Sequence, residues 1–180
     1  QGNWRLDFNQ KHAGDVYATH GLGPVCQVLD IHRGDKMEYL VSMSTPSYNG
    51  KKIAEEMMGT EDFANGDMTS TLIKTNKGKT ILIQHNVYTP RPYDRLYQLT
   101  GTEGFANKYP YQGFTLKEEN VPSDVIPDHE KLDEHGFVSN EVRDSLLVAY
   151  KHPIAKDIEE KAKSVGGHGG MDFIMDYRLI

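Results

Sequence analysis

Residues 68–88, MTSTLIKTNKGKTILIQHNVY, decide the fold. Runs rich in β-branched residues flank Asn76-Lys77-Gly78 and predict two strands, Met68–Thr75 and Lys79–Tyr88. They are joined by a three-residue hairpin loop with Gly78 where φ must be positive. Ile81, Ile83, His85 and Val87 share one face of the second strand, because side chains alternate along extended backbone. Thr89-Pro90-Arg91-Pro92 then ends it, since neither proline can donate to a ladder. Upstream, Lys36–Ser44 alternates with Met37, Tyr39, Val41 and Met43 on one side, a half-buried strand. Before that, Gly23-Pro24 predicts a helix start with proline at the first position and Val25, Val28 and Leu29 on its apolar face. A short helix is expected around Ile53-Ala54-Glu55-Glu56.

Downstream, Arg95–Gly101 and Phe105–Lys108 predict further strands around a Gly101/Gly104 turn. Residues 117–138 are acidic, proline-containing and aperiodic, the pattern of a long surface loop. Ser139 then caps a helix that turns Val142, Leu146, Ala149 and Tyr150 inward, and Pro153 opens another with Ile154 and Ile158 on its apolar face. Strands cluster centrally and helices mostly follow, which is α+β segregation and not βαβ alternation.

The 180 residues fit one domain at the usual size of about 100–200 residues. Twenty Lys and Arg against 26 Asp and Glu leave a net charge of −6, which offers no basic footprint for nucleic acid. Mean hydropathy is −0.61, and no run of apolar residues is long enough to span a bilayer. Cys26 is the single cysteine, so an intrachain disulfide and a multi-cysteine metal site are excluded. Near the end, Met171, Ile174, Met175 and Leu179 line one helix face that reaches no stop signal, so the chain is expected to be truncated at both ends.

Three segments carry candidate chemistry. In Tyr17-Ala18-Thr19-His20-Gly21-Leu22-Gly23-Pro24, a phenol and an imidazole stand at a helix start, where unpaired N–H groups favour oxyanions. The alternative is a loop histidine satisfied by backbone. In Gly166-Gly167-His168-Gly169-Gly170-Met171-Asp172, four glycines let the backbone turn sharply around His168, although an interhelical linker has the same composition. Arg91-Pro92-Tyr93-Asp94-Arg95 offers fork-like donors on a stiff turn, or a surface ion pair. No strand–GxGxxG–helix fingerprint, Walker loop or GxSxG occurs. His20, His32, His85 and His168 are too scattered for a recognised metal spacing, so no metal is expected.

Trp4-Arg5-Leu6, the Tyr17–Pro24 string, Ile31-His32-Arg33-Gly34-Asp35, Tyr39–Ser44, Arg91-Pro92-Tyr93 and Gly166–Phe173 together resemble glycoside hydrolase family 109, in order along nearly the whole chain. That family belongs to the Gfo/Idh/MocA oxidoreductase group. The resemblance implies an α+β fold, a mostly antiparallel open sheet with helices packed on one face. It makes residues 1–180 a C-terminal substrate-binding and oligomerisation domain whose N-terminal Rossmann domain, the main NAD site, is absent. By the family pattern, Arg5, Tyr17 and Tyr93 bind substrate, and Tyr17 and His20 are the residues expected to be catalytic, handling protons and orienting the sugar. Tyr17, Ala18, Thr19 and His20 also touch NAD, while His168 is a candidate without an assigned role. Ala18 stands where the family usually has proline.

The implied activity is that of an α-N-acetylgalactosaminidase acting by transient oxidation, elimination, addition and reduction, with the isolated chain inactive. Such a route needs no flanking carboxylate pair, and none is apparent in the spacing. The implied partners are a carbohydrate, the Rossmann domain and a second copy through the open sheet face, in an exported or periplasmic setting. Two alternatives remain: the domain of an NAD(P)-dependent sugar dehydrogenase, and a non-catalytic sugar-binding or dimerisation module.

Overall fold

The hairpin at residues 76–78 forms as its sequence predicts. In a computed structural model, which describes residues 3–127 and 131–179, Gly78 has φ 85° and its N–H reaches Thr75 O at 2.9 Å. The side chain of Trp4 and residues 128–130 of the expected loop lie outside the described residues. The hairpin joins β2 (Met68–Thr75) to β3 (Thr80–Asn86), and β1 (Met37–Ser44) pairs antiparallel on the other side of β2.

The register sorts the two faces of this sheet. Thr69 pairs with His85, Thr71 with Ile83 and Ile73 with Ile81, so the inner face grades from apolar to polar along the strands. Ser42 and Ser44 continue it across β1, with hydroxyls 2.8 Å from those of Thr71 and Thr69. Tyr39, Val41, Met43, Leu72 and Leu82 lie on the outer face, each more than half exposed. The side of β1 expected to be half-buried is therefore open, because no element of the described chain covers that face.

Gln1–Arg95 forms one compact unit and Leu96–Ile180 a second. In the first, α1 (Asn3–Lys11), α2 (Thr19–Val28) and α3 (Asn49–Met58) accompany the sheet. Leu6 of α1, Ala54 of α3 and Phe63 share a small apolar core, with Tyr88 edge-on to Phe63 at 5.4 Å. Tyr48 gives α3 no side-chain cap; the Asp67 carboxylate accepts from the N–H groups of Tyr48, Asn49 and Gly50 at 2.9–3.1 Å. This carboxylate satisfies orphan donors and meets the positive end of the helix dipole.

Helix α2 differs from expectation. It begins at Thr19, so Pro24 sits in its second turn and His20 in its first. Proline is tolerated there at the cost of one ladder bond to His20 O. At Gly21 a Cβ would stand 3.6 Å from Ile83 Cγ2, an ordinary van der Waals distance, so this part of α2 lies beside β3.

The second unit holds β4 (Tyr97–Thr100), β5 (Gly104–Lys108) and β6 (Gly113–Leu116), antiparallel in that order. The expected open sheet is thus realised as two three-stranded sheets, separated by a proline-rich segment that cannot maintain a ladder. Strand β6 escaped the sequence reading, being four residues long with glycine first.

The expected surface loop at 117–138 is irregular, with two short 3-10 turns, but it is not all surface. Val121 and Val138 are buried with Val142 and Leu146 of α4 (Asn140–Ala149), and Phe114, Leu116, Val125, Ile126 and Leu132 pack around them. Ser139 Oγ caps α4 by accepting Val142 N–H at 3.2 Å, as predicted, whereas Ala149 and Tyr150 face solvent and not inward. His152 Nδ1 and Pro153 open α5 (Pro153–Val165), which packs through Ile158 and Ala162. The chain then enters α6 (Met171–Leu179) through the glycine-rich turn. Met171, Met175 and Leu179 on α6 are exposed.

Candidate functional site

A chain segment crossing the inner face of the first sheet gathers three predicted residues. Tyr17 ends the turn before α2, and its ring is tilted against His20 with centroids 4.7 Å apart. The Arg5 guanidinium of α1 stands 5.9 Å from the Tyr17 ring centre, within the range of a cation–π contact. Tyr17 is 51 % exposed, and His20 and Thr19 also face solvent. Ala18 is the N-cap position with no side-chain cap, so the first N–H groups of α2 are not capped from there. The result is a solvent-facing group of a fixed cation, a phenol, an imidazole and a helix start.

The same place holds two residues not picked from the sequence. Asp15 Oδ1 accepts the Tyr17 N–H at 3.0 Å, and His85 Nδ1 of β3 lies 4.0 Å from that oxygen. Both side chains are nearly buried, 10 % exposed for Asp15 and 13 % for His85. The sequence did hold a signal: His85 follows Ile81 and Ile83 on the inward face of β3, where a polar ring demands a partner.

Tyr93 has a different neighbour. It is 70 % exposed, and the Arg95 guanidinium lies 5.5 Å from its ring centre. His168 belongs to the second unit, where its Nδ1 lies 3.0 and 2.9 Å from the two oxygens of Asp172, one helical turn on. The glycines around it are needed by the turn: Gly166, Gly167, Gly169 and Gly170 all have positive φ. The turn thus has a physical account in its glycines, with His168 hydrogen-bonded to Asp172 at the surface.

Asp35, read only as part of a longer string, is a buried carboxylate with several donors. Its Oδ1 accepts the N–H groups of Lys36 and Lys77, and its Oδ2 accepts the Thr75 hydroxyl at 2.8 Å. Lys79 Nζ lies 3.3 Å from Oδ2 and donates to Leu29 O at the end of α2. Burial alone would push the Asp35 carboxyl up, but the Thr75, Lys36, Lys77 and Lys79 donors hold it down at about 2. Burial pushes the Cys26 thiol up, in keeping with packing and not nucleophilic use. A shallow depression lined by His32, Gly34, Asp35, Lys36 and Asn76 contains none of the predicted site residues. Among the described residues, no three His, Cys, Asp or Glu side chains converge as a metal site, and no helix is long and apolar enough to cross a membrane.

The family model described as "Glycosyl hydrolase 109, C-terminal domain" matches residues 1–180. Glycosyl hydrolase family 109 protein 1 of Bacteroides fragilis is 61 % identical over 180 residues, covering 99 % of this chain and 39 % of that protein. The family 109 protein of Porphyromonas gingivalis is also 61 % identical, over 99 % of this chain and 38 % of its own length. Protein 3 of Phocaeicola vulgatus is 48 % identical, over 99 % of this chain and 32 % of its own length. The chain therefore spans about two fifths, or less, of the curated relatives it matches.

Proposed function

We propose that this chain, which belongs to glycosyl hydrolase family 109 by its match to that family's C-terminal domain, supplies the carbohydrate-facing part of an NAD-dependent, α-N-acetylgalactosaminidase-like enzyme. The observation that carries this reading is the solvent-facing group of Arg5, Tyr17 and His20 at the start of α2. Sugar hydroxyls both donate and accept, and this group offers both functions. Arg5 supplies fixed donors for a hydroxyl or an acetamido oxygen. The Tyr17 ring gives a flat apolar surface with a hydroxyl at its tip. An imidazole nitrogen can accept a proton and a phenol can donate one, so His20 and Tyr17 are the pair to hold and move the proton at sugar C2 while orienting the ring. Tyr93, open to solvent on its stiff turn, supplies a further sugar contact.

Residues 17–20 fit NAD as an edge contact: an uncapped helix start and small side chains at Ala18 and Thr19 suit a polar ligand edge. The main nucleotide site belongs to the additional length that relatives have, in our reading a Rossmann domain, and the chain alone does not turn over sugar. When bound, NAD supplies a reversible hydride acceptor. The outer face of the first sheet is where a second copy would pack.

The test is made in the full-length protein. An aryl α-N-acetylgalactosaminide should be cleaved without net NADH, and Tyr17→Phe and His20→Ala should each lower kcat by about 100-fold, the low end for loss of a positioned proton donor or acceptor. Stoichiometric NADH would identify a dehydrogenase instead, and unchanged turnover in both variants would reject the site.

A further inference from the structure

We infer that His85 and Asp15 form a clasp that positions Tyr17, so that both are positioning residues for the carbohydrate site. The inference rests on the reading that Tyr17 faces sugar. An aspartate that accepts the N–H two residues ahead is ordinary loop chemistry, and such a carboxylate usually sits in water. This one does not: the Asp15 side chain is 10 % exposed, and it faces an imidazole that is 13 % exposed. A carboxylate withdrawn from solvent needs donors, and its oxygen Oδ1 has two candidates. The Tyr17 N–H lies at 3.0 Å, and His85 Nδ1 lies at 4.0 Å, close enough to act on it electrostatically but too far for a direct hydrogen bond.

The two neighbours of Oδ1, one a hydrogen-bond donor and one a nearby ring, come from different elements. Tyr17 belongs to the turn leading into α2, whereas His85 is fixed in β3 opposite Thr69, with Thr69 hydrogen-bonded on to Ser44. Asp15 is thus the link between a rigid sheet and an otherwise exposed turn. What it fixes is the backbone N–H of the residue whose ring is tilted against His20 and faces Arg5. On the other side of Tyr17, Gly21 of α2 faces Ile83, one step along the same strand face. The Tyr17–His20 pair thus sits beside β3 and stays exposed.

The clasp is tested in the full-length protein with amide exchange and steady-state kinetics side by side. Asp15→Ala and His85→Ala should each speed exchange of the peptide covering residues 12–20 by about tenfold, while peptides of β2 and β3 keep their protection. Each should raise KM for the aryl sugar by about five- to tenfold, the scale of one lost hydrogen bond, with a smaller change in kcat. The double variant should be no worse than the poorer single one, because both act through one route. Asp15→Asn, which keeps an acceptor for the Tyr17 N–H, should return KM to within about threefold of the wild type. Unchanged exchange and KM in the alanine variants would overturn the clasp, as would loss of protection spread across the whole sheet. If Tyr17→Phe itself leaves KM and kcat unchanged, the carbohydrate reading fails, and the exchange data still judge the clasp.

Discussion

Asp35 shows how a single side chain can hold one unit's connections together. Its four donors come from the loop after α2, from β2 and from the hairpin turn, so the carboxylate must be charged for them all to be satisfied. Its folded pKa of about 2 lies below the ordinary aspartate value of about 4. The depressed value means that the unfolded chain binds the proton first. The stability Asp35 contributes is therefore fully present above about pH 4 and is lost as pH falls toward 2. We expect Asp35→Asn to lower Tm by several degrees at pH 7 and to flatten the fall of Tm between about pH 4 and 2, as followed by calorimetry. None of this was legible from the sequence, because the partners at Thr75, Lys77 and Lys79 lie some forty positions away. Tyr17 and His20 could be picked because they are neighbours in the chain. Asp15 and His85 are separated by seventy positions and meet only through the sheet.

Among the elements, the glycine-rich turn between α5 and α6 was the most readable, and it gives two opposed expectations. Gly170 has φ 96°, and a Cβ there would stand 2.7 Å from the Ala162 carbonyl carbon of α5. Gly169 has φ 70° with nothing within 4 Å. Gly170→Ala should combine a backbone penalty with a backbone clash and cost about 3 kcal/mol or more, whereas Gly169→Ala should cost about 1–2 kcal/mol. Urea midpoints of the two variants, compared at equal m-value, check the order. The hairpin was equally readable, since Asn76-Lys77-Gly78 states its own turn type. The start of α2 was not, because Gly21, Gly23 and Pro24 are poor helix formers and hide a helix that begins at Thr19. Val121 and Val138 were lost in an acidic context for a related reason, as two valines fill a core without any local period to announce them.

For the chain as a whole, α+β segregation was legible from where strands and helices cluster, and the break at Pro90 and Pro92 now marks the passage from one unit to the next. The outer face of the first sheet carries the largest expectation at this scale. The register aligns Val41, Leu72 and Leu82 across its three strands, and each is more than half exposed. A flat apolar row of this kind is an association surface or a hazard. Leu72→Lys should shift the full-length protein to a smaller species in sedimentation velocity and leave its circular dichroism unchanged; an unaltered mass would place any self-association elsewhere. The opposite face has another consequence, for how the strands find each other. Alternation protects a ladder against sliding by one residue but is blind to sliding by two. Here a two-step slide of β3 would set Ile83 against Thr69 and Lys79 against Ile73, wasting a hydroxyl row and stranding an ammonium over oil. The steady change from isoleucine to threonine and histidine along that face works as a ruler, and the hairpin can close on only one of its marks.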